Sequence, residues 1–299
     1  MPDGLDAQVN RDAPDGGRDI FSDSVAHEGG MPGRSRIDTR LSLRVTTPGQ
    51  VALSVAVAAT AQPVHEMLTI DPSWGPSARM VRLGHGARFH VLDVRAGDVF
   101  VHYQAEVPAG PAPAAEPLTL ADLVRYTRPS RYCPSDRLAG FAVAEFGRVD
   151  AGLPQVREVV RCLGERLSYV SGSSGPTDDA IDTLLSGQGV CRDYAHLSVT
   201  VCRALAIPAR FVSVYAAGLA PMDFHAVFEA AVDGHWHLFD ATGIAPRASM
   251  TRVATGRDAA DTAFLTTIGS QVDLLNSKVT VTVDLELPVD DPNTLVALR

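Results

Sequence analysis

Cysteine is scarce in this chain: four residues in 299. Thiols that sparse do not build a disulfide scaffold, so the fold must rest on an ordinary hydrophobic core. Positive charge is also short, with 26 Lys and Arg against 35 Asp and Glu and a net charge of −9. No dense basic cluster offsets it, and such a surface repels phosphate backbones, so no nucleic-acid partner is expected. No apolar run approaches bilayer length; the longest, 51–59, is interrupted by Ser54, so no membrane partner is expected. The first residues are acids and glycines, not a charged segment followed by an apolar one, and a cytoplasmic location is the expectation. There is no CxxC pair and no HExxH helix signature. What is present is 45% hydrophobic and 20% charged residues, which excludes wholesale disorder. At about 150 residues per domain the length points to two domains.

Residues 1–35 hold six glycines among scattered aspartates without an apolar period, and read as a disordered tail. From Arg36 the period is two: Ile37, Leu41, Leu43 and Val45 alternate with Arg36, Asp38, Arg40 and Arg44. Strand-like runs follow at 51–57, 64–70, 79–83 and 88–95, then Val99, Val101, Tyr103, Ala105 and Val107 share one face. Residues 36–107 are therefore predicted to form an N-terminal, sandwich-like all-β domain. The stretch 108–117 carries Pro108, Pro111, Pro113 and Pro117 and reads as a semi-rigid linker. Beyond it, 118–290 is predicted to be a second domain. Helical patterns cover 136–147, 154–168, 178–185 and 191–206, the last stopped by Ile207-Pro208. Strands at 209–216, 224–232 and 235–240 and a final alternating run over 279–287 complete it. The predicted fold class is α+β, helices packed on an antiparallel sheet.

Gly189-Val190-Cys191-Arg192-Asp193-Tyr194-Ala195 sets Cys191 at the start of a predicted helix. Unpaired N–H groups and a partial positive charge at a helix N-terminus favour a thiolate over a thiol. A cysteine at such a place is more often simply a buried small hydrophobe, so the nucleophile reading needs a partner base. One is offered by 223–242. Asp233-Gly234 between two strand-like runs predicts a two-residue hairpin turn, which pairs Val232 with His235, Val227 with Asp240 and His225 with Thr242. His225 and Asp240 then lie on one sheet face as diagonal neighbours, roughly 7–8 Å apart or somewhat less between Cβ atoms. The same register turns His235 and His237 to the opposite face, which weakens a zinc site of Cys191, His225, His235 and His237.

This ordered set, Cys191 heading a helix, Ile207-Pro208-Ala209-Arg210 entering a strand, then His225 and Asp240, resembles the bacterial transglutaminase-like cysteine protease superfamily. The resemblance extends over about 118–268, and the β domain before it is similar to one that often precedes this papain-like core. It implies a Cys-His-Asp triad: Cys191 as nucleophile, His225 as general base and Asp240 as its orienter. Cys191, Asp193, Tyr194 and Ala195 match the family's C-x-D-Y/F-A pattern, and Gln188, Asp193 and Tyr194 become candidates for substrate or oxyanion contact. Two positions depart from the family: Val227 stands where many members have tryptophan, and Asp240-Ala241-Thr242 where they have Asp-Pro-Thr. Without an EF-hand-like acidic loop no calcium dependence is carried over, and no cofactor is expected.

The other thiols read as structural, Cys133 in a loop after Tyr132 and Cys162 and Cys202 among apolar helix neighbours. Arg257, Asp258 and Asp261 read as a cap with salt links to Arg252 sooner than as a substrate clamp. The expected activity is acyl transfer at an amide through a thioester, as a peptidase, amidase or transglutaminase-type enzyme acting on a peptide or protein. Hydrolysis is favoured over cross-linking, since excluding water takes a dedicated dry tunnel. The alternative is a non-enzymatic interaction module that keeps the fold.

Overall fold

The computed structural model describes residues 33–72, 78–109 and 113–298; the tail expected over 1–35 lies outside them except for its last three residues. Alternating apolar side chains bury one face of β1 (Arg34–Thr47), which begins two residues ahead of the predicted strand. β2 (Gly49–Leu53), β3 (His65–Asp71), β4 (Arg79–Arg82), β5 (Arg88–Val94) and β6 (Gly97–Pro108) follow. Next come α1 (Leu120–Tyr126), which has no counterpart in the sequence reading, α2 (Ala139–Phe146), α3 (Leu153–Arg166) and the two-residue β7 (Ser168–Tyr169). α4 (Ala180–Ser186), β8 (Gln188–Gly189) and α5 (Cys191–Ala204) lead into β9 (Ala209–Ala216), β10 (His225–Val232) and β11 (His235–Phe239). β12 (Met250–Gly256), β13 (Leu265–Ile268) and β14 (Gln271–Val283) close the chain.

Among the described residues, three four-stranded antiparallel sheets result, ordered β14-β1-β6-β3, β13-β2-β5-β4 and β11-β10-β9-β12. The first two bury Leu41, Leu43, Val101 and Tyr103 against Val51, Leu53 and Val94 in one cluster, the expected sandwich-like module. The third carries the helices, with Leu163, Leu197, Val201, Phe228 and Phe239 in a second cluster. The architecture is thus the α+β arrangement expected. α5 is buried on every side from Asp193 to Arg203, as befits a helix walled in by sheet and helices. It ends where Ala206 takes φ 61° and the Ile207 N–H returns to the Cys202 carbonyl at 2.9 Å, one turn ahead of Pro208.

Two expectations about organisation are corrected. The final alternating run does not join the second domain's sheet: β14 pairs with β1, Ile37 opposite Val281, and β13 pairs with β2. A period of two marks a strand but carries no information on its partner. The Pro-rich stretch 108–117 is not a free spacer either. Trp236 N–H donates to the Glu116 carbonyl (2.8 Å) and Leu118 N–H to that of Gly234 (2.8 Å), so its second half runs along the β10–β11 hairpin. The Glu116 carboxylate accepts from Arg210 (2.6 Å) and meets His85 (3.1 Å), tying the β module to the helical part. Residues 32–299 accordingly cluster as one compact unit.

Candidate active site

A short segment, 186–193, sets the nucleophile candidate in place. Gly187, with φ 67°, ends α4, and β8 passes parallel to β7 before α5 starts at Cys191. Asp193 accepts the Val190 N–H (2.9 Å), which caps the helix, and is held in turn by the Ser174 hydroxyl (2.5 Å) and Arg192 (3.0 Å). A Cβ on Gly189 would lie 2.7 Å from the Asp193 Cβ, so glycine is required there for the cap to close. Asp193 is therefore not a substrate contact but the buried anchor of the helix start. Tyr194 is buried as well, its hydroxyl donating to the Leu167 carbonyl at 2.7 Å. Gln188 is exposed and does not line the cleft described below.

His225 opens β10, and the hairpin register is the one expected from Asp233-Gly234, with Val232 opposite His235 and Phe228 opposite Phe239. Asp233 and Gly234 take φ 50° and 76°, the left-handed pair such a turn demands. Across the diagonal, His225 Nε2 meets Asp240 Oδ2 at 2.8 Å, with both side chains almost wholly buried. The other carboxylate oxygen accepts from the Thr242 N–H (2.8 Å) and hydroxyl (2.7 Å). Thr242 thus does its work with Ala241 in place of proline. Val227 packs into a buried cluster with Val212 and Leu238, so its departure from tryptophan leaves the cleft lining untouched. Burial alone would lower the pKa of His225, but the hydrogen bonds and charges of Asp240 and Cys191 outweigh it and raise it to about 10. The ring is thereby held as an imidazolium beside the sulfur.

Cys191 and His225 open into a cleft of about 720 Å³. Its walls include Phe211 and Phe224 of the helical part, Ala259 and Ala263 of the loop after β12, and Leu265 and Thr266 of β13. Tyr132 forms another wall, its hydroxyl donating to the Pro176 carbonyl (2.9 Å) and its ring stacked on the buried His196. Arg192 and Asp223 supply opposite charges to the lining. The run around Arg257 is structural: Asp258 caps the turn 259–261 (Ala260 N–H, 3.0 Å) and accepts the Tyr132 N–H (3.0 Å), while Arg257 pairs with Asp261. Arg252 takes no part in that run and pairs instead with the buried Glu229.

One neighbour of the thiol escapes the sequence reading. The β7–β8 pairing sets Tyr169 opposite Gly189, two residues before Cys191. Partial burial, then the charge of Cys191, push the Tyr169 phenol up to about 12. Strands of two residues have no period by which a sequence could reveal them. Among the described residues no three or more His, Cys, Asp or Glu side chains converge in a metal-binding group, and no helix is long and apolar enough to cross a membrane.

A family model described as the transglutaminase-like superfamily matches residues 142–241. The crystal structure of a candidate cysteine protease from Cytophaga hutchinsonii aligns with a TM-score of 0.79 at 31% identity, covering 89% of this chain and 96% of that one. An uncharacterized protein of Mycobacterium leprae, ML0607, is 29% identical over 153 residues, which are 46% of this chain. The match spans 52% of that relative, about half its length. The periplasmic domain of TgpA from Pseudomonas aeruginosa, bound to ethylmercury, aligns at 16% identity with a TM-score of 0.38, covering 71% of this chain and 92% of that one.

Proposed function

The chain belongs to the transglutaminase-like superfamily, and from that premise we propose that it is a cysteine-dependent enzyme of acyl transfer at amides, with Cys191, His225 and Asp240 as its triad. The observation that carries the reading is the placement of His225, held through Nε2 by Asp240 at 2.8 Å and lining the same cleft as Cys191 at its helix start. In the resting state the His225 imidazolium stabilises the Cys191 thiolate. The sulfur attacks the amide carbonyl carbon, and the carbonyl electron pair moves to oxygen. The protonated Tyr169 phenol beside Cys191 donates to that oxyanion. As the tetrahedral species collapses, His225 Nδ1 gives its proton to the departing amine and a thioester remains. Water then attacks the thioester with His225 accepting its proton, and the acid leaves as the thiolate re-forms. A peptide or protein amide with water as acceptor is the reading adopted, because water is always present and excluding it takes a dedicated dry passage.

The test is alkylation by iodoacetamide with mass-spectrometric mapping between pH 5 and 9. Cys191 should be modified far faster than Cys133, Cys162 or Cys202 and should stay reactive at pH 6; His225→Ala should remove that advantage. Cys191→Ala should fold and lack all amidase and transferase activity. Four cysteines that react slowly and alike would instead leave a binding module on an enzyme fold.

A further inference from the structure

We infer that the cleft takes its substrate as an extended polypeptide, added as a further strand on the outer edge of β13. This deepens the acyl-transfer reading and rests on it. β13 is an end strand, and β2 is its one strand partner among the described residues. Ser54 N–H donates to the Phe264 carbonyl at 2.9 Å, which makes 54/264 a hydrogen-bonded pair of the ladder. In an antiparallel ladder such pairs alternate with non-bonded ones. Thr266–Ala52 is therefore bonded, whereas Leu265–Leu53 and Thr267–Val51 are not. The N–H and C=O groups of Leu265 and Thr267 point away from β2, two residues apart, in the repeat a bound strand requires.

The cleft that holds Cys191 and His225 is lined by Leu265, Thr266 and Thr267 in succession. Successive strand residues face opposite sides of a sheet, so a cleft touching all three follows the strand's edge and not one of its faces. Edge strands are ordinarily blunted by lysine, proline, a bulge or an inward charge. β13, Leu-Thr-Thr-Ile, has no charge and no proline, and its pairing with β2 is unbroken. Beside it, the Phe224 and Phe264 rings stack with centroids 4.5 Å apart, and with Phe211 and Val253 they make an apolar wall for one substrate side chain. Small amides lack the repeating N–H and C=O that this edge would engage, so the substrate class is a polypeptide segment with an apolar residue near the scissile amide.

Peptidyl chloromethyl ketones test this on the full-length protein. The probe is a tetrapeptide reagent with phenylalanine next to its reactive residue, compared with its backbone-N-methylated form and with iodoacetamide. The rate measured is alkylation of Cys191, with iodoacetamide as the reference for thiol reactivity. Thr267→Pro removes the outward N–H, a change edge strands accommodate. It should lower the ratio of peptidyl to iodoacetamide rates about ten-fold, the loss of one hydrogen bond. The N-methylated reagent should lose a similar factor on the unaltered protein, a measurement that needs no variant to fold. Equal rates for the methylated and unmethylated reagents, together with an unchanged ratio in Thr267→Pro, would overturn the inference and leave the nucleophile standing. Wild-type dimers dissociated by Thr267→Pro would give the edge to a second copy and overturn it too. Iodoacetamide that fails to prefer Cys191 would remove the acyl-transfer reading itself and the inference with it.

Discussion

Burial sorts the four thiols. Cys133 and Cys202 are wholly buried, and desolvation pushes both up to about 12, so neither offers a thiolate at neutral pH. Cys162 and Cys191 are partly exposed, and it is Cys191 that has the His225 imidazole beside it. Around the pair each neighbour has a separable task. Asp240 is already satisfied by Thr242 on one oxygen, so its role toward His225 is to hold the ring and stabilise its charge. Asp240→Asn keeps the shape and withdraws the charge, and should lower turnover by roughly 10²–10⁴-fold while Cys191→Ala abolishes it. Tyr169 keeps its proton throughout the neutral range, because the phenol is pushed up to about 12. Tyr169→Phe should therefore lower kcat by about 10²-fold with little change in KM, the pattern expected of a donor used at the transition state. A change confined to KM would make Tyr169 a substrate contact instead.

At the scale of the element, the start of α5 and the β10–β11 hairpin deliver the three residues of the proposed triad. Gly189→Ala sets a methyl 2.7 Å from the Asp193 Cβ and must displace the cap that fixes Cys191. We expect a loss of about 1–3 kcal/mol in chemical denaturation, and Cys191 should be alkylated no faster than Cys162. Stability lost with the Cys191 preference retained would show that the cap does not aim the thiol. These two elements are the part of the site most legible in the sequence. Asp233-Gly234 sets a register by itself, since that turn demands left-handed residues, and a register puts His225 and Asp240 on one face. Cys191 at a helix start was legible from the turn at Gly189 and the helical pattern of 191–206, whereas the cap by Asp193 was not, since that residue read as a substrate contact. Tyr169 and the β13 edge were not legible, because each depends on a pairing between segments far apart in sequence. The same holds for β14, whose alternation marks a strand yet names no partner, and for the Arg210–Glu229 and Arg210–Glu116 pairs at 2.6 Å. Ion pairs on a buried arginine are made by tertiary packing that no local pattern announces.

The β module and the helical part share their interiors as well as the cleft. Tyr215 of β9 donates to the Val55 carbonyl (2.7 Å) and accepts from Thr39 (2.9 Å), joining the third sheet to the other two. Stability should follow pH as a property of the whole unit, governed by buried groups of opposite sign. His196 is wholly buried; desolvation first, and then Arg192, lower its pKa to about 3, and its Nε2 accepts the Ala259 N–H at 3.1 Å, which requires the neutral ring. Between pH 6.5 and 3 the unfolded chain binds a proton there that the folded chain refuses, so stability falls as pH falls. Glu229 adds to this on the acid side: burial raises its pKa, but Arg252 and Arg210 overcome it and hold the carboxyl down at about 2, so its contribution is lost from pH 4.5 downward. His225 works the other way. Its folded pKa of about 10 lies above the ordinary 6.5, so its contribution is complete below pH 6.5 and disappears as pH rises toward 10. The urea midpoint should accordingly peak near pH 6.5 and decline on both sides. His225→Gln should flatten the alkaline limb and His196→Gln the upper part of the acid limb. A wild-type midpoint that stays level from pH 6.5 to 9 would mean that His225 is not held as an imidazolium. On the acid side the effect reaches the cleft, because protonating His196 removes the acceptor that anchors Ala259 in its wall and charges the ring against which Tyr132 stacks.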